Sequence, residues 1–311
     1  MDANLRFWRA EGQSFFQRFL LWADVLDPLL LLKSSDEIRR TRLFIQNSEK
    51  TLSEPVQNDQ WSDLPFFSFK SSVHPDTDKI IPVLFRPPGH LRPKLVFAYN
   101  LYFLQFVFHT YTTGFTMLNG NGTAKAEEYS LQEKQIFYGL GAISYAACIA
   151  ALPHIFMNRY TLKSSLTQLV VKQLLPAPLL GLMSAFTVVV VRSTEFENGI
   201  EVMDRNGKVV GVSQKAGEKA VKETALSRAV LFGTTFFLPA VLMHIVGRAK
   251  FAKTPRALAS LRMLMITSVL AGMLPVSLSM FPQCGEIKRA DLELEIVSST
   301  EETELFYNRG I

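Results

Sequence analysis

The stretch Ala229–Gly247, AVLFGTTFFLPAVLMHIVG, decides the fold. It has no Asp, Glu, Lys or Arg and is bounded by Arg228 and Arg248. A run of about 18 or more uncharged residues reads as a membrane-spanning helix, because in hydrocarbon only a helix satisfies its backbone groups within its own segment. Four further stretches read the same way: Leu95–Leu118, Ile136–Met157, Leu174–Val191 and Met263–Phe281. The 311-residue chain is 48% hydrophobic and 20% charged, with mean hydropathy +0.14, and these stretches hold the surplus apolar content. The expected fold class is an all-α polytopic membrane protein with about five transmembrane helices. An ordinary cytosolic enzyme is excluded. A β-barrel is excluded too, because its strands alternate and run to only about 10 residues.

The net charge is +5. The basic residues gather at the ends of the apolar spans, where they anchor helices to lipid headgroups. Membrane lipid is thus the partner the charge implies, and nucleic acid is not. Cys148 and Cys284 are too few and too far apart for a disulfide framework or a zinc motif. Near the start, Asp2 and Glu11 interrupt Arg6, Arg9 and Arg18, and no apolar signal core follows. Targeting information is therefore expected to be internal.

The flanking segments divide the chain into regions. Residues 1–94 read as a soluble or interfacial N-terminal region. Phe15, Phe19, Trp22 and Leu26 recur on one helical face, and Asp27-Pro28 ends that helix. Ser34 and Glu37 form a capping box for a second helix to about Asn47. Residues 95–281 form the five-span bundle. Within it, 192–228 reads as a lobe with a β-hairpin over Ile200–Val212, turning at Asn206-Gly207 as a type I′ turn, and an amphipathic helix over 216–228. Residues 282–311 read as an acidic C-terminal tail. An odd number of spans puts the N-terminal region and the tail on opposite sides. The loops Asn158–Gln173 and Arg248–Arg262 are basic and acid-free, which assigns the N-terminal side as the inner one.

No phosphate-binding loop and no nucleophile–base constellation appears, so no catalytic residue is assigned. Asn121-Gly122-Thr123 is a glycosylation sequon by pattern. Gly139, Gly141, Ala142, Ala146 and Ala150 form a small-residue stripe suited to close helix packing. His109, His154 and His244 lie inside spans, where an ionisable group is a functional candidate. Each is alone on its helix without an acid or Cys at ligand spacing, so no metal site and no cofactor is expected. Prolines interrupt four spans, and Pro239 and Pro275 sit near mid-span. Each frees a backbone carbonyl, as in the broken helices that line carrier sites. His74-Pro75-Asp76-Thr77 reads from its chemistry as a helix cap.

The motifs His74-Pro75-Asp76-Thr77, Phe16-x-Arg18 with Asp27-Pro28, Gly199-Ile200 through Asn206-Gly207, Pro275 with Phe281-Pro282-Gln283, and the ending Phe306-Tyr307-Asn308-Arg309-Gly310-Ile311 resemble those of the sideroflexins. These are multispanning proteins of the mitochondrial inner membrane, and the similarity runs over nearly the whole chain. Arg6-Phe7-Trp8, Leu84-Phe85-Arg86-Pro87 and Thr300-Glu301-Glu302-Thr303-Glu304 resemble one branch of that family. The resemblance implies a location in the mitochondrial inner membrane and one of two roles. That branch is linked to assembly of respiratory complex I, with effects on iron–sulfur and iron homeostasis. Other members carry serine into mitochondria for one-carbon metabolism. At three places where transporter members hold amides, this chain has Phe108, His109, Thr112 and Thr116, then Thr187-Val188-Val189, then His244. Buried polar groups for a zwitterion are thereby lost, which favours the assembly role, with complex I assembly intermediates or assembly factors as partners. A carrier of serine or another small amino acid would use His109, Thr112, Thr187, Pro239, His244 and Pro275 as its path.

Overall fold

The computed structural model describes residues 14–32, 34–40, 43, 72–74, 79–88, 101–121, 129–159, 170–171, 175–248 and 254–311. Helix α1 spans Phe15–Val25. Ser14 and Gln17 close a capping box there: the Gln17 amide donates to the Ser14 hydroxyl, and the Ser14 amide to Gln17 Oε1. The buried face of α1 comprises Trp22 and Val25, with Leu26 beyond its end, whereas Phe15 is exposed. The Ser34–Glu37 box is also present, opening a helical stretch over 35–40. Its extension to Asn47 lies outside the described residues.

The apolar stretches are helical with different bounds: α2 Leu101–Asn119, α3 Tyr129–Arg159, α4 Pro176–Val191, α6 Gln214–Arg248 and α7 Pro255–Ser279. Between α4 and α6 lie the short helix α5, Thr194–Asn198, and strands β1, Ile200–Met203, and β2, Val209–Ser213. Among the described residues, two helices are long and apolar enough to cross a membrane, over Gln214–Val246 and Ala257–Ser279. Ile136–Ile149 and Pro176–Val191 are shorter apolar helices. Large apolar side chains point outward from these elements: Phe137 is 75% exposed and Leu264 65%, with Leu140, Leu182, Phe237 and Ile245 also exposed. Inside lie Thr112, Thr116, Ser184, Thr187 and Thr235. Apolar side chains facing outward around a core that mixes these hydroxyls with Phe115, Val188, Leu231 and Leu274 suit hydrocarbon rather than water.

The prolines act differently from the expected broken spans. Pro176 and Pro178 occupy the first turn of α4, where a missing N–H has no helical partner to lose. Pro239 and Pro275 lie within α6 and α7, which run on through them. The expected 216–228 helix and fourth span are one helix, α6, about 52 Å long at 1.5 Å per residue. It therefore belongs to both the lobe and the bundle. Helices α4 and α6 approach closely at Gly181, where a Cβ would stand 2.8 Å from the Ala229 carbonyl oxygen and 3.3 Å from Gly233. Of the small-residue stripe, Gly139, Ala142 and Ala146 are buried, with Gly139 against Thr113 of α2, whereas Gly141 is exposed.

The hairpin over β1 and β2 forms, with Ile200 opposite Ser213 and Glu201 opposite Val212. Its turn is not the expected two-residue type. The Gly207 amide donates to the Asp204 carbonyl, and the Asp204 amide to the Lys208 carbonyl, which leaves a three-residue loop of Arg205, Asn206 and Gly207. Gly207 takes φ +77°, and Asp204 Oδ1 accepts from the Asn206 and Lys208 amides. Asp204 thus offers local bonds that favour the longer loop. The hairpin is half of a larger sheet. Strands β3, Cys284–Lys288, and β4, Glu304–Asn308, come from the tail, with α8, Leu294–Ser299, between them. The order is β2-β1-β4-β3, all antiparallel. Alternation along β4 sends Leu305 and Tyr307 into the lobe core with Ile200 and Ala220, and Phe306 toward Trp22 and Leu274. The acidic run is part of this fold: Glu302 accepts from the Arg205 amide at the hairpin loop.

The expected separation of the two termini does not hold for the described residues. Arg18 Nε donates to the Ser279 carbonyl at the end of α7 (3.0 Å), and Asn119 Nδ2 at the end of α2 donates to the Phe85 carbonyl (3.0 Å). The Ile311 amide donates to the Asn119 carbonyl (2.9 Å). Segments from both ends of the chain therefore meet one end of the bundle. Helix C-termini leave carbonyls that need donors, and these segments supply them, an effect invisible to span counting.

Candidate functional site

The C-terminal ends of α2, α4 and α7 converge with the first half of α6, and the polar residues there build one buried network. Arg192 follows α4 as its C-cap, and Glu195 lies three residues on in α5. The pair is bidentate, with Nε to Oε1 at 2.5 Å and Nη2 to Oε2 at 2.8 Å, and each side chain is 2% exposed. Arg192 Nη1 also donates to Thr224 Oγ1 (3.0 Å) and Nη2 to the Arg309 carbonyl (2.7 Å). The Thr224 hydroxyl in turn donates to the Ala220 carbonyl, which orients its oxygen toward Arg192. The second carboxylate face takes Asn121, whose backbone amide donates to Glu195 Oε1 (3.3 Å) and Nδ2 to Oε2 (3.1 Å). Asn121 Nδ2 also donates to the Asn308 carbonyl (2.7 Å). A buried ion pair is favourable only when its remaining donors and acceptors are filled, and this one is.

The tail completes the cluster. Asn308 Oδ1 accepts from Gln283 Nε2 (3.1 Å) and from the Gly310 amide (3.2 Å). Arg309 Nη2 donates to the Leu278 carbonyl (3.1 Å), and its guanidinium lies 5.9 Å from the Phe281 ring centroid. The Arg228 guanidinium lies 4.7 Å from that of Phe115. Burial lowers the Arg309 pKa to about 10, which leaves it charged at neutral pH. Burial raises the Tyr307 pKa, helped by Glu223, whose Oε2 accepts the Tyr307 hydroxyl (3.1 Å).

His74 joins this network: its Nε2 is 2.5 Å from the Gly120 carbonyl oxygen, one residue before Asn121. The rest of the motif, Pro75, Asp76 and Thr77, lies outside the described residues. The candidate path residues are placed as follows. His109 and Thr112 are buried one turn apart on α2, with Thr112 Oγ1 donating to the His109 carbonyl (3.0 Å). Thr187 is buried on α4, its hydroxyl donating to the Met183 carbonyl (2.9 Å). Pro239 is buried and His244 half-buried on α6, and Pro275 is buried on α7. The structure joins His109 to Thr112, whereas Thr187 bonds only within its own helix. His154 lies on α3, and its side chain is outside what is described. No group of three or more His, Cys, Asp or Glu able to hold a metal occurs among the described residues. Cys148, exposed, and Cys284, buried, form no disulfide.

Sequence reasoning missed the Arg192–Glu195 pair and the role of Asn121, which it read as a sequon. An arginine just past an apolar span, followed three residues later by an acid, was the available signal. Arg309 was visible only as part of an ending with a family resemblance.

The sequence model of the family described as Sideroflexins matches residues 4–311. Sideroflexin-4 of Danio rerio is 45% identical over the full length of both chains. Sideroflexin-4 of Homo sapiens is 36% identical over all of this chain and 93% of its own length, and human Sideroflexin-5 is 29% identical over 97% and 91%. No solved structure matches. With a family match of this extent and full-length relatives above 30% identity, the chain belongs to the sideroflexin family.

Proposed function

We propose that this protein is a multi-pass protein of the mitochondrial inner membrane that supports assembly of respiratory complex I, with an attendant link to iron–sulfur and iron homeostasis. The observation that carries this reading is the full-length similarity to Sideroflexin-4 proteins from several vertebrates. The arrangement of polar groups supports it. The hydroxyls of Thr112, Thr116 and Thr187 bond to carbonyls of their own helices, so none of these donors is left to hold a zwitterion. Outward-facing residues such as Phe137, Leu140 and Leu264 supply the surface for lipid and for lateral contact with other membrane subunits. In this reading the bundle of apolar helices lies in the bilayer, and no catalytic residue is needed.

The test re-expresses this chain in cells that lack their own copy. Complex I is followed on native gels, and labelled serine is followed into mitochondrial formate. Restored complex I without restored serine flux supports the assembly role, and the reverse pattern overturns it.

One observation favours the second reading, a carrier of serine or another small amino acid. Thr113 and Thr235 are buried, and their hydroxyls make no hydrogen bond. Thr235 lies four residues before Pro239, which cannot donate to the Thr235 carbonyl. Saturable serine uptake by vesicles containing the purified protein, lost in Thr235→Val, is the result this reading requires.

A further inference from the structure

Arg309 is the least satisfied cation among the described residues of the buried cluster. A guanidinium carries five N–H donors in a planar fork. At Arg309 one nitrogen, Nη2, donates to the Leu278 carbonyl, whereas Nε and Nη1 have no hydrogen-bond partner, although the residue is only 1% exposed. A charged donor buried without an acceptor is far more unfavourable than a neutral one, so such an edge is seldom left empty unless something fills it.

The charges nearby do not supply what is missing. Arg192, Arg228 and Arg309 are buried together, and the acids facing them are Glu195 and Glu223. Both Glu195 oxygens are held by Arg192 and Asn121. Glu223 Oε2 is held by the Tyr307 hydroxyl. These three buried cations, with Arg18 also near Arg309, thus face two carboxylates; Glu223 attracts Arg309 through space, but neither carboxylate hydrogen-bonds its Nε and Nη1 edge. The missing partner has negative charge and at least two acceptor oxygens, to match the Nε and Nη1 edge. Its depth is also defined. Arg309 bonds to Leu278 near the end of α7, and Arg228 immediately precedes the apolar run of α6. The site therefore sits where the apolar belt ends, at the level of lipid headgroups.

We propose that the Nε and Nη1 edge of Arg309, in the field of Arg192 and Arg228, binds an oxyanion, a phosphate or carboxylate group, at the end of the bundle where the tail docks. The proposal is independent of the assembly and carrier readings. The group comes either from an anionic phospholipid headgroup or from a small anion in solution.

The test uses the full chain in phosphatidylcholine nanodiscs, with and without phosphatidylglycerol, and follows thermal unfolding as inorganic phosphate is titrated against chloride at constant ionic strength. A saturable rise in Tm with phosphate in neutral nanodiscs identifies a soluble anion. A rise conferred by phosphatidylglycerol, and competed by phosphate, identifies a headgroup. In either case Arg309→Lys, which keeps the charge but loses the fork, weakens the apparent affinity by about tenfold. The surface variant Arg205→Gln leaves it unchanged. Arg309→Gln abolishes the response, and if that variant does not fold, the lysine variant alone decides. Equal responses in wild type and Arg309→Lys, or no response to either anion source, overturn the proposal.

Discussion

Arg192 grips both carboxylate oxygens of Glu195 from three residues away, and neither side chain reaches solvent. The pair sits where α4 ends, and through Thr224, Asn121 and the Arg309 carbonyl it ties α6, the end of α2 and the tail to one point. Removing one partner leaves a buried charge. Glu195→Gln or Arg192→Met is expected to destabilise the protein by about 3–5 kcal/mol. The double variant Arg192→Met/Glu195→Leu should lose clearly less than the sum. Thermal unfolding in detergent measures this, and additive losses would show that the two residues do not act as a pair.

Two glycines on facing helices predict opposite outcomes. A Cβ at Gly181 meets the Ala229 carbonyl, so Gly181→Val forces α4 from α6 and is expected to lose about 1–3 kcal/mol. A Cβ at Gly233 meets nothing within 4 Å, so Gly233→Ala is expected to be neutral, or stabilising by about 0.5–1 kcal/mol. Equal losses at the two positions would contradict the close approach at Gly181.

Asn121 belongs to a sequon, but its Nδ2 is committed to Glu195 and the Asn308 carbonyl. The residue is expected to carry no glycan, and glycosidase treatment should leave gel mobility unchanged. Asn121→Asp sets a second carboxylate against Glu195 and should lower Tm, whereas a mobility shift abolished by Asn121→Gln would refute the buried placement.

The tail is a structural strand, and its deletion acts through folding. Removing Glu304–Ile311 strips β1 and β3 of the strand between them and removes Tyr307 and Phe306 from two cores. The truncated protein is expected to fall sharply in steady-state level. Any loss of assembly function should scale with that fall, as paired immunoblots and native gels would show. Normal levels with lost function would instead make the tail a contact surface.

Glu293 connects the lobe to pH. Burial alone would raise its pKa, but bonds from the Ser213 hydroxyl and from the Lys215 and Gln214 amides outweigh it, so the carboxyl titrates below its ordinary 4.5. A depressed pKa in the folded state contributes stability that is present above 4.5 and lost as the pH falls through the folded value. Ser213→Ala should shift that acid-side loss of Tm to higher pH, and Glu293→Gln should remove it.

Helices α2, α3, α4, α6 and α7 were legible because uncharged apolar runs admit little else, and the Ser34–Glu37 capping box because its partners are three residues apart. The hairpin was legible from Asn206-Gly207, although its loop length was not, since Asp204 chose between two turns through bonds of its own side chain. Composition, run length and local spacing thus determined the helices and their apolar character. Only the tertiary structure decided that the tail supplies β3 and β4, that segments from both ends of the chain meet one end of the bundle, and that Arg192, Glu195, Asn121 and Arg309 share a buried network. The hydrogen bond from Asn121 to Asn308 closes over 187 residues, and no local period or propensity encodes a partner at that distance. It is selected when the helix ends, their carbonyls and the buried charges must all be satisfied at once.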